Sequence, residues 1–307
     1  MNIVLGTDDN YAMPCSVCIT SIFENNKDII CNIYILTEGL NEFNINLFNK
    51  ISKKYNRTIS IIKINNNRFK DLIIRGRFTK AMYNRFLIPE ILNDQDTALY
   101  IDCDIIINGS ISFFEKLSLK SYACAVIKDQ MCYNKKLFNQ RLKIDTIYFN
   151  SGVIFMNLSY WREYNLAQKC INFISNNPHL CLFPDQDALN KVLSNQVLYI
   201  PLTYNFQEML YIEKNYKYYD KDMLKEIKQY KSNPIIIHYT NNIKPWYKEC
   251  THPLKHLFLK YFYLNFDNVA LKKYYTISRR YSITKGFFKR INSFIKRKLN
   301  SQSYIFI

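Results

Sequence analysis

A chain of 307 residues with 48% hydrophobic content is long enough for one large domain, or one domain with an appendage, and amply supplied for a core. The formal charge of +17 predicts an acidic partner: nucleic acid, anionic lipid or a phosphorylated substrate. Nine cysteines, an odd number scattered through apolar context such as Cys124 and Cys170, argue against a disulfide framework, and no apolar run approaches the roughly 20 residues that span a membrane.

Asn2–Gly6 reads as a short β-branched strand that ends in the polar turn Thr7-Asp8-Asp9-Asn10. Without a basic segment before it, this start predicts no signal peptide and a cytosolic protein. Tyr11–Glu24 reads as a helix, Ile29–Thr37 as a strand, Glu42–Tyr55 as a helix and Thr58–Ile64 as a strand. Such alternation is the βαβ signature of a parallel sheet covered on both faces. Cys15-Ser-Val-Cys18 has redox-pair spacing, but i and i+3 are equally one helix face, which is the plainer reading. Lys80–Leu92 is predicted as a further helix with Pro89 near its end.

The stretch Ala98–Ile107 carries Asp102 and Asp104 between two apolar runs. Carboxylates in a buried strand are tolerable only where something positive meets them. Extended chain aims residues i and i+2 to one side, so the two acids form a clamp for a divalent cation. Beyond it, Tyr122–Ile127, Tyr148–Asn157, Val197–Ile200 and Pro234–His238 read as strands. Ser159–Ser175 is predicted as a helix opened by a serine cap, and Pro184–Leu193 as another. Met209–Tyr230, rich in Tyr and Lys, reads as a surface excursion. With six glycines there is neither a G-x-G-x-x-G nor a Walker A segment, which removes dinucleotide oxidoreductases and P-loop NTPases.

Polar islands therefore sit at strand ends: Asp8/Asn10, Asp102/Asp104, Asn150-Ser151-Gly152 and His238, with Asp185-Gln186-Asp187 opening a helix. Strand ends on one edge of an open α/β sheet converge on a common cleft. Two carboxylates and an imidazole suit Mn²⁺ better than Mg²⁺, which prefers an all-oxygen shell.

Six segments in order, Asn2-Ile-Val-Leu-Gly-Thr-Asp-Asp-Asn10, Tyr83-Asn-Arg-Phe-Leu-Ile-Pro89, Leu99-Tyr-Ile-Asp-Cys-Asp104, Phe149-Asn-Ser-Gly-Val-Ile-Phe-Met-Asn157, Pro184-Asp-Gln-Asp187 and His238-Tyr-Thr-Asn-Asn-Ile-Lys-Pro-Trp246, resemble the retaining glycosyltransferases of family 8, the group of glycogenin and of bacterial lipopolysaccharide galactosyl- and glucosyltransferases. The resemblance implies an α/β GT-A fold, a Rossmann-like nucleotide-sugar-binding mixed sheet flanked by helices. It implies a UDP-hexose donor with Mn²⁺ across the diphosphate, Mg²⁺ being the second choice. By the same resemblance Asp8 is the uracil-side contact and Asn10 a ribose contact. Asp102, Asp104 and His238 are the metal ligands, with Cys103 between the acids on the cofactor side. Arg85 faces the donor sugar and phosphates, and Lys244 clamps the diphosphate. Asp129, Asn150, Gly152, Asp185 and Gln186 surround the donor sugar, Gln186 nearest the reacting carbon. Asn241 stands where the family carries glycine; asparagine tolerates left-handed backbone, which would keep that loop's shape.

Retention by two inversions needs a carboxylate at the anomeric carbon. Gln186 is an amide, which favours front-face attack with the departing phosphate taking the acceptor proton; Asp185 as covalent nucleophile is the less favoured route. Each residue also has a plainer reading: His238 as a core histidine, Asp185 as a helix cap, and His252/His256 as a histidine pair lacking the Glu of H-E-x-x-H. The rivals are a haloacid-dehalogenase-type phosphohydrolase, whose downstream Gly-Asp-x-x-x-Asp is absent, and a polybasic nucleic-acid binder, which leaves the acidic pair unexplained.

The expected organisation is a catalytic domain over 1–260 and a basic tail over 261–307. From Asn268 to Ile307 there are ten Lys or Arg and no acid. Between Gly286 and Leu299, Phe287, Phe288, Ile291, Phe294, Ile295 and Leu299 recur at helical spacing among five bases. That predicts an amphipathic helix on an anionic membrane surface, the alternatives being a helix packed on the enzyme with a solvated basic face and a nucleic-acid-binding tail. The expectation is a metal-dependent hexosyltransferase, peripheral on the cytoplasmic face of the inner membrane, with no nucleic acid bound. It would act on a saccharide or lipid-linked saccharide such as lipopolysaccharide or lipooligosaccharide core, the alternatives being a protein or another glycan.

Overall fold

The computed structural model describes residues 1–76 and 79–270. The described residues divide into two compact units, Met1–Thr240 and a second that begins at Asn241. The amphipathic tail helix expected at Gly286–Leu299 lies outside the described residues.

The first unit runs β1 (Asn2–Gly6), α1 (Ala12–Asn25), β2 (Asn32–Thr37), α2 (Glu42–Tyr55), β3 (Ile59–Lys63), a 3₁₀ stretch at Lys80–Leu87, α3 (Ile88–Ile91), β4 (Thr97–Ile101), β5 (Ile105–Ile107), α4 (Phe113–Lys116) and β6 (Cys124–Lys128). It continues with β7 (Phe149–Asn157), α5 (Leu158–Glu163), α6 (Leu166–Asn176), α7 (Pro184–Val192), β8 (Val197–Tyr199), β9 (Phe206–Gln207), α8 (Lys221–Tyr230) and β10 (Ile236–His238). Seven strands form one sheet in the order β3-β2-β1-β4-β7-β6-β8, and β5-β10-β9 form a small second sheet. The large sheet is mixed: β7 is antiparallel to both β4 and β6, and the other pairs are parallel.

Alternate residues of the large sheet feed two apolar layers. Ile3, Leu5, Leu99, Ile101 and Val153 pack with Cys15, Cys18, Ile19 and Ile22 of α1. Val4, Ala98, Tyr100, Ile154 and Met156 pack with Trp161 of α5, Ile174 of α6 and Leu189 of α7. Period-2 side-chain alternation, with each face covered by helices, makes both faces core. Each buried Leu or Ile contributes about 1.5–3 kcal/mol relative to exposure. Cys15 and Cys18 are buried free thiols in this layer, and burial pushes both well up, which suits packing and not redox chemistry.

Three expectations are corrected. Lys80–Leu92 is not one α-helix: Pro89 has no N–H for the Arg85 carbonyl, and the segment before it winds as 3₁₀. Ser159–Ser175 is two helices, broken where Asn165 takes left-handed backbone (φ 50°), and the cap is Asn157, whose side chain accepts the Tyr160 amide. Met209–Tyr230 is not merely a surface excursion. Leu210, Tyr219, Met223 and Ile227 are buried in the first layer, the last two at the i, i+4 spacing of one α8 face.

In the second unit, α9 (Lys255–Phe262) places Phe258 against Trp246 at 5.4 Å between ring centroids.

Candidate active site

The strand order reverses at β1: β2 and β3 lie to one side, β4 to the other. A crevice at such a switch point, beyond the carboxyl ends of the strands, is where open α/β sheets bind ligands. Asp8 follows β1 there and Asp102 follows β4. Because β7 runs antiparallel, its first residues, Asn150, Ser151 and Gly152, reach the same edge. The register between β6 and β7 slips from Val126↔Ile154 to Ile127↔Asn150, so β7 bulges at Ser151–Val153.

The chain crosses from β4 in the large sheet to β5 in the small one through Asp102-Cys103-Asp104. β10 pairs antiparallel with β5 and sets His238 opposite Ile105, one residue from Asp104. The result is a cluster in which one donor atom from each of Asp102, Asp104 and His238 lies within 4.8 Å of the others. His238 Nε2 is 3.2 Å from Asp104 Oδ1 and 3.9 Å from Asp102 Oδ2. Among the described residues this is the group of acids and imidazole suited to a metal ion. Gly152 makes room for it: a Cβ there would stand 2.8 Å from both Asp102 Oδ2 and His238 Nδ1.

Arg85 is buried beside the cluster. Its guanidinium donates to Asp102 Oδ1 at 3.0 Å, the Ser151 carbonyl at 2.5 Å and the Met82 carbonyl at 2.9 Å, and pairs with Asp185 at 3.1 Å. Burial works against its charge, and Asp185 and Asp102 outweigh that. Arg85 thus holds two carboxylates in place, rather than standing open to a ligand. Tyr100, near the end of β4, donates its hydroxyl to Asp102 Oδ1 at 2.7 Å.

Gln186 is pinned from both ends. Its Oε1 accepts the Ser151 amide at 2.9 Å and Asn150 Nδ2 at 3.2 Å, and its Nε2 donates to Asp129 Oδ2 at 3.3 Å. Asp129 also accepts the Met131 amide at 2.8 Å and Asn150 Nδ2 at 3.1 Å. Burial raises the Asp129 carboxyl, and those donors pull against it. Burial likewise raises Asp185, with Arg85 pulling down and neighbouring Asp102 pushing up. Asp185 does not cap α7; its carboxylate faces Arg85 and the Ser151 hydroxyl. The loop before α7 is held instead by Asp187, which accepts the Leu182 and Phe183 amides at 2.8 Å each.

Asp129, Asn150, Gly152, Asp185, Gln186, Arg85, Asp102, Asp104 and His238 are therefore one connected constellation. The remaining expected residues stand differently. Asp8 Oδ1 is used by the Asn10 and Tyr11 amides at 2.9 and 3.0 Å, which shapes the turn into α1, and Asn10 is exposed. The Cys103 thiol, in the turn between β4 and β5, donates to the Gly6 carbonyl at 3.2 Å beside the thiols of α1. Asn241 and Lys244 belong to the second unit. Asn241 does not take left-handed backbone, so the glycine expected there is not required for its φ.

Missed by sequence reasoning were Tyr100, Asn190 and Asn205, while Ser151 was named only as part of a polar island. Tyr100 was open to the same i, i+2 argument as Asp104. Asn190, which pairs with both backbone groups of Phe149, and Asn205, a hydrogen bond from His238, carry no local signal.

A parallel half-sheet, an acidic pair at its switch point and a bulged antiparallel strand beside it are the features of a GT-A-type glycosyltransferase. The sequence model of Glycosyl transferase family 8 matches residues 2–250, and the chain belongs to that family. It is 29% identical over 275 residues to Lipopolysaccharide 1,2-glucosyltransferase of Escherichia coli K12, covering 89% of this chain and 79% of that one. It is 28% identical to General stress protein A of Bacillus subtilis 168, covering 85% and 92%. In fold it matches the galactosyltransferase LgtC, solved with donor and acceptor sugar analogues, at a TM-score of 0.78 and 23% identity, covering 85% of this chain and 95% of that one. Family membership removes the phosphohydrolase alternative.

Proposed function

We propose that the protein moves a hexose, galactose or glucose, from a UDP-sugar to a saccharide acceptor of the lipopolysaccharide or lipooligosaccharide core type, with retention of configuration. The observation that carries this reading is the convergence of Asp102, Asp104 and His238 beside the pinned Gln186. Three electron-pair donors aimed at one point, two of them carboxylates, fit a divalent cation, and the imidazole favours Mn²⁺ over Mg²⁺. A cation held by these three would supply positive charge for the leaving diphosphate. The relatives named lipopolysaccharide glucosyltransferase support the acceptor class.

The residues around the donor sugar support front-face attack. Gln186 offers an amide oxygen already shared by Ser151 and Asn150, a poor nucleophile. The Asp185 carboxylate is engaged by Arg85 and the Ser151 hydroxyl, away from a nucleophile's role. Double inversion would need a free carboxylate at the reacting carbon. The acceptor proton then leaves with the diphosphate oxygen, and Gln186 and Asp129 orient the sugar. UDP release from UDP-galactose and UDP-glucose, with Mn²⁺, Mg²⁺ or chelator and with defined core saccharides, tests the proposal. Release indifferent to chelator, or absent with every UDP-hexose, refutes it.

For location we propose peripheral attachment to the cytoplasmic face of the inner membrane. Its support is the acid-free, ten-base composition of residues 268–307. No helix among the described residues is long and apolar enough to cross a membrane. Flotation of the full chain with anionic vesicles, against a chain ending at Asp267, tests it; equal flotation of the two refutes it.

A further inference from the structure

The row of side chains from Gly152 to His238 has only one consistent set of proton positions. The Gly152 amide donates to Asn150 Oδ1 at 3.0 Å, while Asn150 Nδ2 faces the Asp129 carboxylate at 3.1 Å. A backbone N–H can only donate, so the Asn150 amide has one orientation. Asn205 meets that same Asn150 Oδ1 at 2.9 Å, and only its NH₂ can do so without opposing two lone pairs. Asn205 Oδ1 is thereby turned to His238 Nδ1, 2.9 Å away. An oxygen acceptor at that distance demands a proton on Nδ1. Nε2 is left as the nitrogen facing Asp104 and Asp102. Asn205 is wholly buried, and Asn150 and His238 nearly so.

We infer that Asn205 is a positioning residue for the cation site: through Asn150 and the Gly152 amide it fixes the His238 proton on Nδ1 and leaves Nε2 as the donor atom. The inference rests on the proposed ligand role of His238. A partner holding the far nitrogen of a metal-binding imidazole sets its tautomer and ring orientation, and losing one costs about 10–100-fold in metal affinity.

The test uses the full chain with ¹⁵N-histidine, metal-free, in long-range ¹H–¹⁵N correlation spectra. His238→Gln identifies the resonance among the four histidines. A protonated Nδ1 on His238 is expected whatever the charge on the ring; an unprotonated Nδ1 in the wild type overturns the inference. Mn²⁺ affinity is read separately by electron paramagnetic resonance of the free ion. Asn205→Leu should lose the fixed Nδ1 proton and bind Mn²⁺ about 10–100-fold more weakly. Asn205→Asp keeps an oxygen on Nδ1 and should retain the proton there, while its second oxygen opposes Asn150 Oδ1 in place of the lost NH₂. Wild-type Mn²⁺ affinity in Asn205→Leu overturns the inference, and if that variant does not fold the wild-type spectrum decides alone. A wild type that shows the Nδ1 proton yet ignores Mn²⁺ supports the proton assignment and refutes the ligand reading.

Discussion

The backbone N–H of Asp102 donates to the carbonyl of Gly152 at 2.8 Å, which ties the exit of β4 to the bulge of β7. This bond sets the glycine's Cα against the acidic cluster, where a side chain has no space. Gly152→Ala should therefore push His238 or Asp102 aside. The expected cost is about 1–3 kcal/mol of stability, as for other overpacked sites, with loss of UDP-hexose turnover. Urea unfolding and UDP release measure the two. Unchanged turnover would mean that His238 yields without consequence.

Asp102→Asn and Asp104→Asn each exchange a charge for an amide of the same size. Loss of a partner behind a ligand typically costs 10–100-fold, so loss of a ligand itself should cost at least about 100-fold in Mn²⁺-dependent turnover. Circular dichroism should show the fold retained. Turnover near wild type at limiting Mn²⁺ would contradict the clamp.

Gln186→Ala should lower turnover strongly and leave UDP-sugar affinity little changed, because its amide contacts Ser151, Asn150 and Asp129 and not the acidic cluster. Calorimetric donor binding beside single-turnover rates separates these effects. A Gln186→Glu variant that accumulates a glycosylated protein would instead favour the covalent route.

Arg141→Ala should unfold the entry to α7. Asp187 is fully buried, and Arg141 grips both its oxygens at 2.7 and 2.9 Å. A buried carboxylate left without its partner costs about 3–5 kcal/mol. Asp185 and Gln186 share that first helical turn, so turnover should fall with stability. Denaturant midpoints and UDP release check both.

His252 predicts a loss of stability in acid. It is buried, its Nδ1 accepts the Leu254 amide at 3.1 Å, and burial pushes the imidazole down to about 3. Below the ordinary imidazole value of about 6.5 the unfolded chain takes a proton that the folded chain refuses, so stability falls as pH drops through that window. At about 1.4 kcal/mol per unit, the share lost between pH 7 and pH 5 is about 2 kcal/mol. His252→Asn, which keeps an acceptor for Leu254, should flatten the profile. Urea midpoints at pH 7, 6 and 5 provide the measurement.

What the sequence determined by itself was whatever depends on backbone geometry over a few residues. The i, i+2 spacing of Asp102 and Asp104 made their pairing legible, although the chain turns at Cys103 and Asp104 between β4 and β5 and does not run on as one strand. Also legible was α2, which Asn41 caps through the Asn44 amide. Motif order was enough to identify the family, which the match over residues 2–250 bears out. Tertiary structure decided which side chains meet. His238 reaches Asp104 only because β10 pairs with β5, Asn205 reaches His238 through the pairing of β9 with β10, and Gln186 is anchored to a bulge in β7. Strand register and the meeting of distant faces fix those contacts, and neither is written in local periodicity. The same reason turned Arg85 inward: the charge of Asp102 and Asp185 outweighs the cost of burying it.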